Sequence, residues 1–292
     1  MKVAIFGKYY AELHSFNRLI LKELEERSVE ISICRNFHAI IKEFTDILKD
    51  DIEIVTEDNL LNQNVDFVIS IGGDGTFLKT ITVIKDSGIP IIGINAGRLG
   101  FLAQITQEEI GMALDCILEK NYTVEHRQLI RMMPETEYPW FDFPCALNEV
   151  TIQKKDSALI TMHVEVDGVH LNSYWADGLI FSTPTGSTAY SLSVGGPIVA
   201  PDCKNIIISP VSPHNLTMRP LVLGGYKEIR VYAESRNGLY IATMDSRNIT
   251  IQRNMTFSIT PTDFTINLIQ LPQHNFYNTL RTKLMWGADK RN

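Results

Sequence analysis

A glycine-rich turn directly after an apolar run constrains the fold of this chain more than any other segment. The run is Phe67-Val68-Ile69-Ser70, and the turn reads Ile71-Gly72-Gly73-Asp74-Gly75-Thr76. Short apolar runs of this kind form buried strands, and glycines let the backbone approach a ligand closely. A helix that begins just after such a turn directs free N–H groups toward an anion. The segment therefore predicts a strand, a phosphate-binding loop and a helix.

The carboxylate of Asp74 sets this turn apart from an ordinary phosphate loop. It adds negative charge where a helix N-terminus favours anions, so we predict that Asp74 holds a metal or takes a proton. The alternative is a turn that needs glycine only for its geometry, although Asp74 and Thr76 add polar groups that such a turn does not require. The chain has no G-x-x-x-x-G-K-[ST], and its glycines at 93, 97 and 100 form no G-x-G-x-x-G. A dinucleotide-dependent oxidoreductase is thereby disfavoured.

Composition and charge argue against several classes of protein. With 292 residues, 45% of them hydrophobic, the chain is long enough for one large domain or two ordinary ones. The formal net charge of -7 argues against binding to nucleic acid or to a membrane surface, since both need basic patches. No apolar run is long enough for a signal peptide or a membrane span, and the four cysteines form no C-x-x-C pair. We therefore expect a cytoplasmic protein without a zinc site or a disulfide framework.

Strand and helix patterns alternate through residues 1–121 and predict an α/β nucleotide-binding domain with a Rossmann-like parallel sheet. Apolar runs predict strands at residues 3–6, 31–34, 65–71 and 89–95. Helical spacing predicts helices with apolar faces at residues 13–24 and 40–48, and further helices at 76–85 and 107–119.

The periodicity changes from helical to alternating after residue 121, which predicts an all-β second domain, a sandwich, over residues 122–274. Within it, residues 161–171 predict a hairpin, because two alternating runs flank Asp167-Gly168. Shorter β-like runs lie at residues 206–209, 228–233, 239–244, 249–252 and 256–260. Helical spacing returns at residues 277–286, and we expect residues 275–292 to pack back onto the first domain.

A second segment with chemical content follows Asp177 and is rich in hydroxyl groups. No charged residue occurs from Gly178 to Pro201. The hydroxyl side chains there could donate to phosphate, ribose or adenine. The alternative is a structural Gly/Ser/Thr loop between two strands. The hydroxyl side chains of this segment are those of Ser182, Thr183, Thr185, Ser187, Thr188, Tyr190, Ser191 and Ser193.

A third element is the pair Asn148-Glu149, which lies at the start of a β-like run. An asparagine can bind the edge of adenine, and a glutamate can accept from a ribose hydroxyl. Taken alone, such a pair is more often a solvated turn.

These segments together resemble the NAD kinase family. The loop from Gly72 to Thr76 looks like the family's glycine-aspartate loop, and Asn95-Ala96-Gly97-Arg98-Leu99-Gly100-Phe101-Leu102 looks like its next strand-end segment. Asn148-Glu149 is similar to its substrate-binding pair. The most specific match is Asp177-Gly178 followed by Ser182-Thr183-Pro184-Thr185-Gly186-Ser187-Thr188-Ala189-Tyr190. Lipid kinases of the diacylglycerol type and phosphofructokinases share the glycine loop alone, so the hydroxyl-rich segment separates them.

The resemblance implies a two-domain enzyme with its active site in the crevice between the domains. Members form homo-oligomers, dimers or more often tetramers, and transfer the γ-phosphoryl group of ATP to the 2′-hydroxyl of the adenosine ribose of NAD. The reaction needs positioning, a divalent metal such as Mg²⁺ and a base, for which we choose Asp74. The glycines Gly72, Gly73 and Gly75 would let the phosphates approach.

The resemblance also implies residues that bind the dinucleotide. Those at its adenosine end and pocket are Asn148, Glu149, Thr188, Ala189, Tyr190, Ser191, Leu192 and Ser193. Asp177 would reach a nucleotide bound by a neighbouring subunit. Lys79, one helical turn beyond Gly75, would neutralise phosphate charge, and the alternative is an exposed solubilising lysine.

Two departures from the family pattern affect the substrate contacts. Many members show Asp-Gly-Gln where this chain has Asp245-Ser246-Arg247, so Arg247 would change the polarity and charge of that contact. The segment Tyr174-Trp175-Ala176 lies in a region that bears on NAD against NADH, which leaves the acceptor preference open. Two competing hypotheses are a lipid kinase and a catalytically silent NAD(P)-binding sensor. A lipid kinase would show an apolar or basic patch that faces the membrane, and this sequence shows none. The presence of Asp74 argues against the silent sensor.

Overall fold

The computed structural model describes residues 1–7, 13–48, 52–56, 59–97, 100–157 and 159–287. It divides the chain into two compact units. Unit 1 comprises Met1–His126 together with Ile266–Asn292, and unit 2 comprises Arg127–Thr265. None of the helices in the described residues is both long and apolar enough to cross a membrane.

The first part of unit 1 alternates strands and helices, as the sequence predicts. Its strands are β1 (Lys2–Gly7), β2 (Glu30–Cys34), β3 (Glu53–Val55), β4 (Phe67–Gly72) and β5 (Ile91–Asn95). Its helices are α1 (His14–Glu26), α2 (Ala39–Glu43), α3 (Asp74–Ile84) and α4 (Ile110–Leu118), and a 3-10 turn at Gln107–Glu109 leads into α4.

The strands of unit 1 form a parallel sheet in the order β5-β4-β1-β2-β3. The register pairs Gly7 with Ile71 and Gly72 with Asn95, so the carboxyl ends of β1, β4 and β5 meet at one edge. Ligand sites in open parallel sheets lie outside this edge. The predicted α/β fold is therefore confirmed, and the glycine loop lies where such sheets bind ligands.

Helix α2 is much shorter than the apolar spacing predicts, because it ends at Glu43. Phe44 has φ -123° and ψ 42°, which breaks the helix, and tight turns follow in which the N–H groups of Ile47 and Leu48 both donate to its carbonyl. Phe44 and Leu48 are nevertheless buried. The spacing of apolar residues here therefore indicates which residues are buried in the core and not a continuous helix.

Unit 2 consists almost entirely of antiparallel strands. One short helix, α5 (Tyr190–Ser193), follows a 3-10 turn at Thr185–Thr188. The strands of the chain from residue 123 onward, of which β6 begins and β17 ends in unit 1, are β6 (Thr123–Pro134), β7 (Cys145–Ala146), β8 (Glu149–Lys154), β9 (Ile160–Val166), β10 (Val169–Ala176), β11 (Gly178–Ser182), β12 (Asn205–Val211), β13 (Leu221–Gly224), β14 (Ile229–Ser235), β15 (Tyr240–Met244), β16 (Arg247–Ile251) and β17 (Met255–Gln270).

Two sheets of unit 2 enclose one core, which confirms the predicted sandwich. One sheet has six strands in the order β13-β12-β11-β8-β15-β16, and the other contains β10-β9-β14-β17. Val150 and Phe181 of the first sheet and Val164 and Phe257 of the second belong to the same buried apolar cluster. The Asp167-Gly168 hairpin is also confirmed.

Strand β17 is longer than predicted, since it runs for 16 residues. The polar residues after Thr260 resemble a turn in the sequence, yet the backbone stays extended through them. Its last residues belong to unit 1, as does the final helix α6 (Phe276–Leu284). Thr279 and Leu280 of α6 are buried, which confirms that the last helix returns to the first domain.

Candidate functional site

The glycine loop joins β4 to α3, and its glycines differ in how closely other atoms surround them. Gly72 has φ +151°, and a Cβ there would lie 2.4 Å from Thr76 Oγ1, so this position needs glycine. Gly73 precedes the first helical residue, Asp74. At Gly73 and Gly75 a Cβ would have no neighbour within 4 Å. The packing does not require glycine at these two positions, and they leave open space at the N-terminus of α3. Helix N-termini are places at which proteins in general can bind anions.

The carboxylate of Asp74 is held by three consecutive backbone N–H groups. Phe101 N donates to Oδ2 at 2.9 Å, while Leu102 N and Ala103 N donate to Oδ1 at 3.0 and 3.1 Å. A Cβ at Gly100 would lie 1.8 Å from Oδ1, so the segment can approach the carboxylate only with glycine at that position. These contacts fix the orientation of the carboxylate before any substrate binds.

The two oxygens of Asp74 are not equivalent. Oδ1 accepts two hydrogen bonds, whereas Oδ2 accepts one and lies 3.9 Å from Lys283 Nζ. Because each carboxylate oxygen offers two lone pairs, Oδ2 keeps one for a further partner. The Asp74 side chain is 31% exposed. It can therefore act on a ligand as a proton acceptor.

The segment that holds Asp74 is anchored on β5. Asn95 Nδ2 donates to Ala103 O at 3.1 Å, and Asn95 Oδ1 accepts from Gly97 N at 2.6 Å. The motif that begins at Asn95 therefore positions the N–H donors. Arg98 and Leu99 of this motif lie outside the described residues.

Lys79 is exposed on α3, one turn after Gly75. Its role at phosphate stays a prediction. Lys283 of α6 is a contact of Asp74 that the sequence reasoning did not identify, because more than two hundred residues separate them in the chain. No periodicity or local motif links two such positions.

In unit 2, Asn148 and Glu149 are fixed by the carboxylate of Asp245. Leu147 N donates to Asp245 Oδ2 at 3.0 Å, while Asn148 N and Glu149 N donate to Oδ1 at 2.8 and 3.3 Å. Asp245 itself has φ 50°, in the left-handed region. The sequence reasoning noted Asp245 only within a departing motif and missed that it binds this backbone.

The hydroxyl-rich segment holds Asn148 from the other side. Thr183 N and Ser182 Oγ donate to Asn148 O at 2.9 and 3.3 Å. A Cβ at Gly186 would lie 2.1 Å from the same carbonyl oxygen, so close packing requires glycine here. The backbone of Asn148 is therefore held on both sides. In the described part of the chain the side-chain amide of Asn148 has no hydrogen-bond partner, so it is available for a ligand.

Glu149 is a buried carboxyl whose Oε2 atom has no hydrogen-bond partner in the described part of the chain. Its pKa is raised to about 8, mainly by burial and further by the charge of Asp245, and a backbone hydrogen bond from Tyr190 opposes the rise. A buried polar atom without a partner costs free energy. A ligand hydroxyl that met Oε2 would satisfy it.

The hydroxyls of residues 182–193 divide into structural and accessible groups. Ser187 Oγ exchanges hydrogen bonds with the backbone of Val199 at 3.0 and 3.1 Å, and Ser191 Oγ lies 3.0 Å from Ser209 Oγ. Thr188 Oγ1 donates to a carbonyl within its own turn. Ala189 and Leu192 are half-buried, whereas Tyr190 and Ser193 are exposed. Contacts of Thr188 through Ser193 with a nucleotide stay predictions.

Two further predicted residues have partners within unit 2. Asp177 Oδ1 lies 2.6 Å from Lys154 Nζ. Arg247 donates to the carbonyls of Phe143 and Cys145, at 2.5 Å each, and burial lowers the pKa of its guanidinium. Its charged group is thus used to hold the chain before β8, and a direct nucleotide contact from Arg247 stays a prediction.

The described residues contain no group of three or more His, Cys, Asp or Glu side chains that could hold a metal ion. Their four cysteines are free thiols: Cys34 and Cys145 are buried, Cys116 is half-buried and Cys203 is exposed.

Two family models match the chain. The ATP-NAD kinase N-terminal domain matches residues 17–122, and the ATP-NAD kinase C-terminal domain matches residues 147–271. Among curated relatives, an NAD kinase of Flavobacterium johnsoniae is 42% identical over 298 residues, and one of Bacteroides fragilis is 43% identical over 297 residues. Each alignment covers 100% of this chain and 100% of the relative.

Solved structures show the same fold. Yeast NADH kinase complexed with NADH matches with a TM-score of 0.88 at 20% identity, over 99% of this chain and 89% of that one. An NAD kinase from Archaeoglobus fulgidus in complex with ATP matches with a TM-score of 0.75 at 25% identity, over 97% of this chain and 99% of that one.

Proposed function

The chain belongs to the NAD kinase family and phosphorylates NAD with ATP, and we propose that Asp74 accepts the proton of the attacking hydroxyl. The hydroxyl is the 2′-hydroxyl of the adenosine ribose. Its oxygen forms a bond to the γ-phosphorus, the bond from that phosphorus to the bridging oxygen breaks, and the electron pair leaves with ADP. The proton moves to Asp74 Oδ2, and the products are NADP and ADP.

The observation that carries this proposal is the fixed carboxylate. Three N–H donors hold Asp74, and only Oδ2 keeps a lone pair for a ligand. Phosphoryl transfer needs positioning and charge stabilisation more than covalent chemistry from the protein. A carboxylate that is already oriented costs little reorganisation when the hydroxyl attacks. Gly73 and Gly75 would leave room for the phosphates at the N-terminus of α3.

Unit 2 would bind the adenosine end of NAD. The Asn148 side-chain amide would meet the adenine edge, and Glu149 Oε2 would meet a ribose hydroxyl. Support comes from the rigid backbone of both residues and from the missing partner of Oε2. Lys79 would neutralise phosphate charge, and residues 188–193, Asp177 and Arg247 would complete the nucleotide contacts.

A divalent metal, Mg²⁺ by our proposal, would enter as part of the ATP substrate. The ion would be held mainly by the phosphate oxygens of ATP and by water, as Mg²⁺ commonly is in kinase sites. Bound there, the ion would neutralise the charge that develops on the transferred phosphoryl group.

We further propose that the protein is a cytoplasmic homo-oligomer, a dimer or a tetramer. Support for the assembly comes from two exposed aromatic side chains on the sheet that contains β9, β10 and β14. Trp175 is 62% exposed and Tyr232 is 39% exposed on that face. Light scattering of the purified protein measures the oligomer size, and a monomer at micromolar concentration would contradict the proposal.

The test of the base compares Asp74→Asn with Asp86→Asn, which makes the same change in an exposed turn after α3. The proteins are incubated with Mg-ATP and, separately, NAD, NADH or diacylglycerol, and NADP(H) or phospholipid is measured. We expect NADP from the wild type and a loss in kcat of about 10²–10⁴-fold in Asp74→Asn, with NAD binding retained. Absence of NADP(H) with both NAD and NADH as acceptors would overturn the kinase assignment, and full activity in Asp74→Asn would overturn the role of Asp74 as the base.

A further inference from the structure

Helix α6 brings one cation to the oxygen of Asp74 that keeps a free lone pair. Lys283 Nζ lies 3.9 Å from Asp74 Oδ2 and 5.2 Å from the centre of the Phe101 ring. Phe101 also donates its backbone N–H to the same Oδ2 atom. The lysine, the ring and the carboxylate therefore form one cluster within unit 1.

Helix α6 holds Lys283 in this place by packing on one face. Phe276, Leu280 and Lys283 follow each other at helical spacing, and Leu280 is buried. The Phe276 ring lies 6.3 Å from the Phe101 ring. The start of the helix is capped by Asn275, whose side chain accepts from Asn278 N at 2.9 Å. The backbone of α6 at Lys283 is thus held in place by packed apolar groups and a capped helix start, while the ammonium remains on a flexible stem.

The contact between Lys283 and Asp74 is weak enough for the ammonium to leave the carboxylate when a stronger anion binds. At 3.9 Å it is too long for a hydrogen bond, and the two side chains are 34% and 31% exposed. Ion pairs this exposed are weak and are screened by salt. An ammonium on a flexible stem can move by a few ångströms to a stronger anion such as a phosphate.

We propose that Lys283 binds the γ-phosphoryl group of ATP, an inference that rests on the proposed function of Asp74. In the free protein the ammonium balances the charge of Asp74 Oδ2. When ATP binds, the ammonium contacts the γ-phosphoryl oxygens, and Oδ2 is left to accept the proton of the 2′-hydroxyl. Positive charge on the transferred group stabilises the transition state of phosphoryl transfer.

The experiment compares Lys283→Gln with Arg281→Gln. Both residues are cations in the last turn of α6, but Arg281 bonds the exposed Asn278 side chain. The two changes therefore remove the same charge from the same helix end. Binding of Mg-ATP and Mg-ADP to each full-length protein is measured by calorimetry, and kcat and KM are measured with NAD as acceptor.

For Lys283→Gln we expect about 5- to 10-fold weaker ATP binding, ADP binding within about twofold of wild type, and a loss in kcat of about 10- to 100-fold. Lys283→Arg should restore most of the ATP binding, and Arg281→Gln should match the wild type. Equal weakening of ATP and ADP, or no difference between Lys283→Gln and Arg281→Gln, would overturn the inference. The binding arms need no turnover, so they remain informative if the wild type makes no NADP, a result that would refute the proposed function instead.

Discussion

Asp245 Oδ1 accepts the backbone N–H of Asn148 at 2.8 Å across a separation of 97 residues. The same carboxylate also accepts from Leu147 N and Glu149 N. Three consecutive N–H groups at the start of β8 therefore depend on one side chain. In unit 1, Asp74 accepts from three consecutive N–H groups in the same manner. Each unit thus pairs one aspartate with three consecutive N–H groups at the residues that we assign to the site: in unit 2 this fixes the Asn148-Glu149 backbone, and in unit 1 it fixes the carboxylate of Asp74 itself.

Asp245→Asn should loosen this segment. If the amide oxygen keeps the position of Oδ1, the amide nitrogen faces Leu147 N, and two donors oppose each other. A lost hydrogen bond to a charged group costs about 1.5–3 kcal/mol of unfolding free energy. We expect a loss of that size in urea unfolding and a higher KM for NAD with a smaller change in kcat. Ser246→Ala is the control at the neighbouring exposed position; equal KM values in the two variants would contradict the assigned role of Asp245.

Glu149 should make the stability of the protein depend on pH. Its pKa is raised from an ordinary value of 4.5 to about 8, so the folded state holds a proton that the unfolded chain has lost between these pH values. Stability supplied by this group is complete below pH 4.5 and is lost as pH rises through about 8. The slope from one such group is at most about 1.4 kcal/mol per pH unit.

Urea unfolding at several pH values within the window of about 4.5 to 8 tests this in wild type, Glu149→Gln and Glu228→Gln. Glu149→Gln cannot ionise, so its stability should exceed that of the wild type increasingly as pH rises. Glu228 is exposed, and its replacement should leave the slope unchanged. Parallel curves for all three proteins would show that Glu149 carries no raised pKa.

The sequence predicted the α/β unit well because its signals are local. An apolar run, three glycines and a helix start specify the passage from β4 to α3, and an Asp-Gly pair specifies the hairpin. Phe44 misled the helix prediction, since a buried residue after a helix has the same spacing as one inside it. Strand β17 was predicted too short because Pro261, Thr262 and Asp263 interrupt the alternation of buried residues that runs from Met255 to Ile259.

The candidate site was predictable only in part. Asp74 and the Asn148-Glu149 pair lie in short motifs, so residue type and spacing identify them. Asp245 and Lys283 act on groups far away in the chain, and only the fold brings them into contact. The hydroxyl-rich segment shows the opposite problem, since composition cannot separate Ser187, which bonds the backbone of Val199, from hydroxyls that are open to a ligand.

Gly100→Ala should displace the carboxylate of Asp74 without removing it. The added Cβ would lie 1.8 Å from Asp74 Oδ1, so either the side chain rotates away or the 101–103 backbone moves, and the N–H donors lose their alignment. We expect a loss in kcat of about 10²–10³-fold, comparable to the loss of one donor in an oxyanion hole. Gly97→Ala is the matched control, because a Cβ there meets nothing within 4 Å. Steady-state kinetics and NAD binding by calorimetry measure the effect: NAD affinity should persist in both variants, and equal kcat values for them would show that the orientation of Asp74 does not limit turnover.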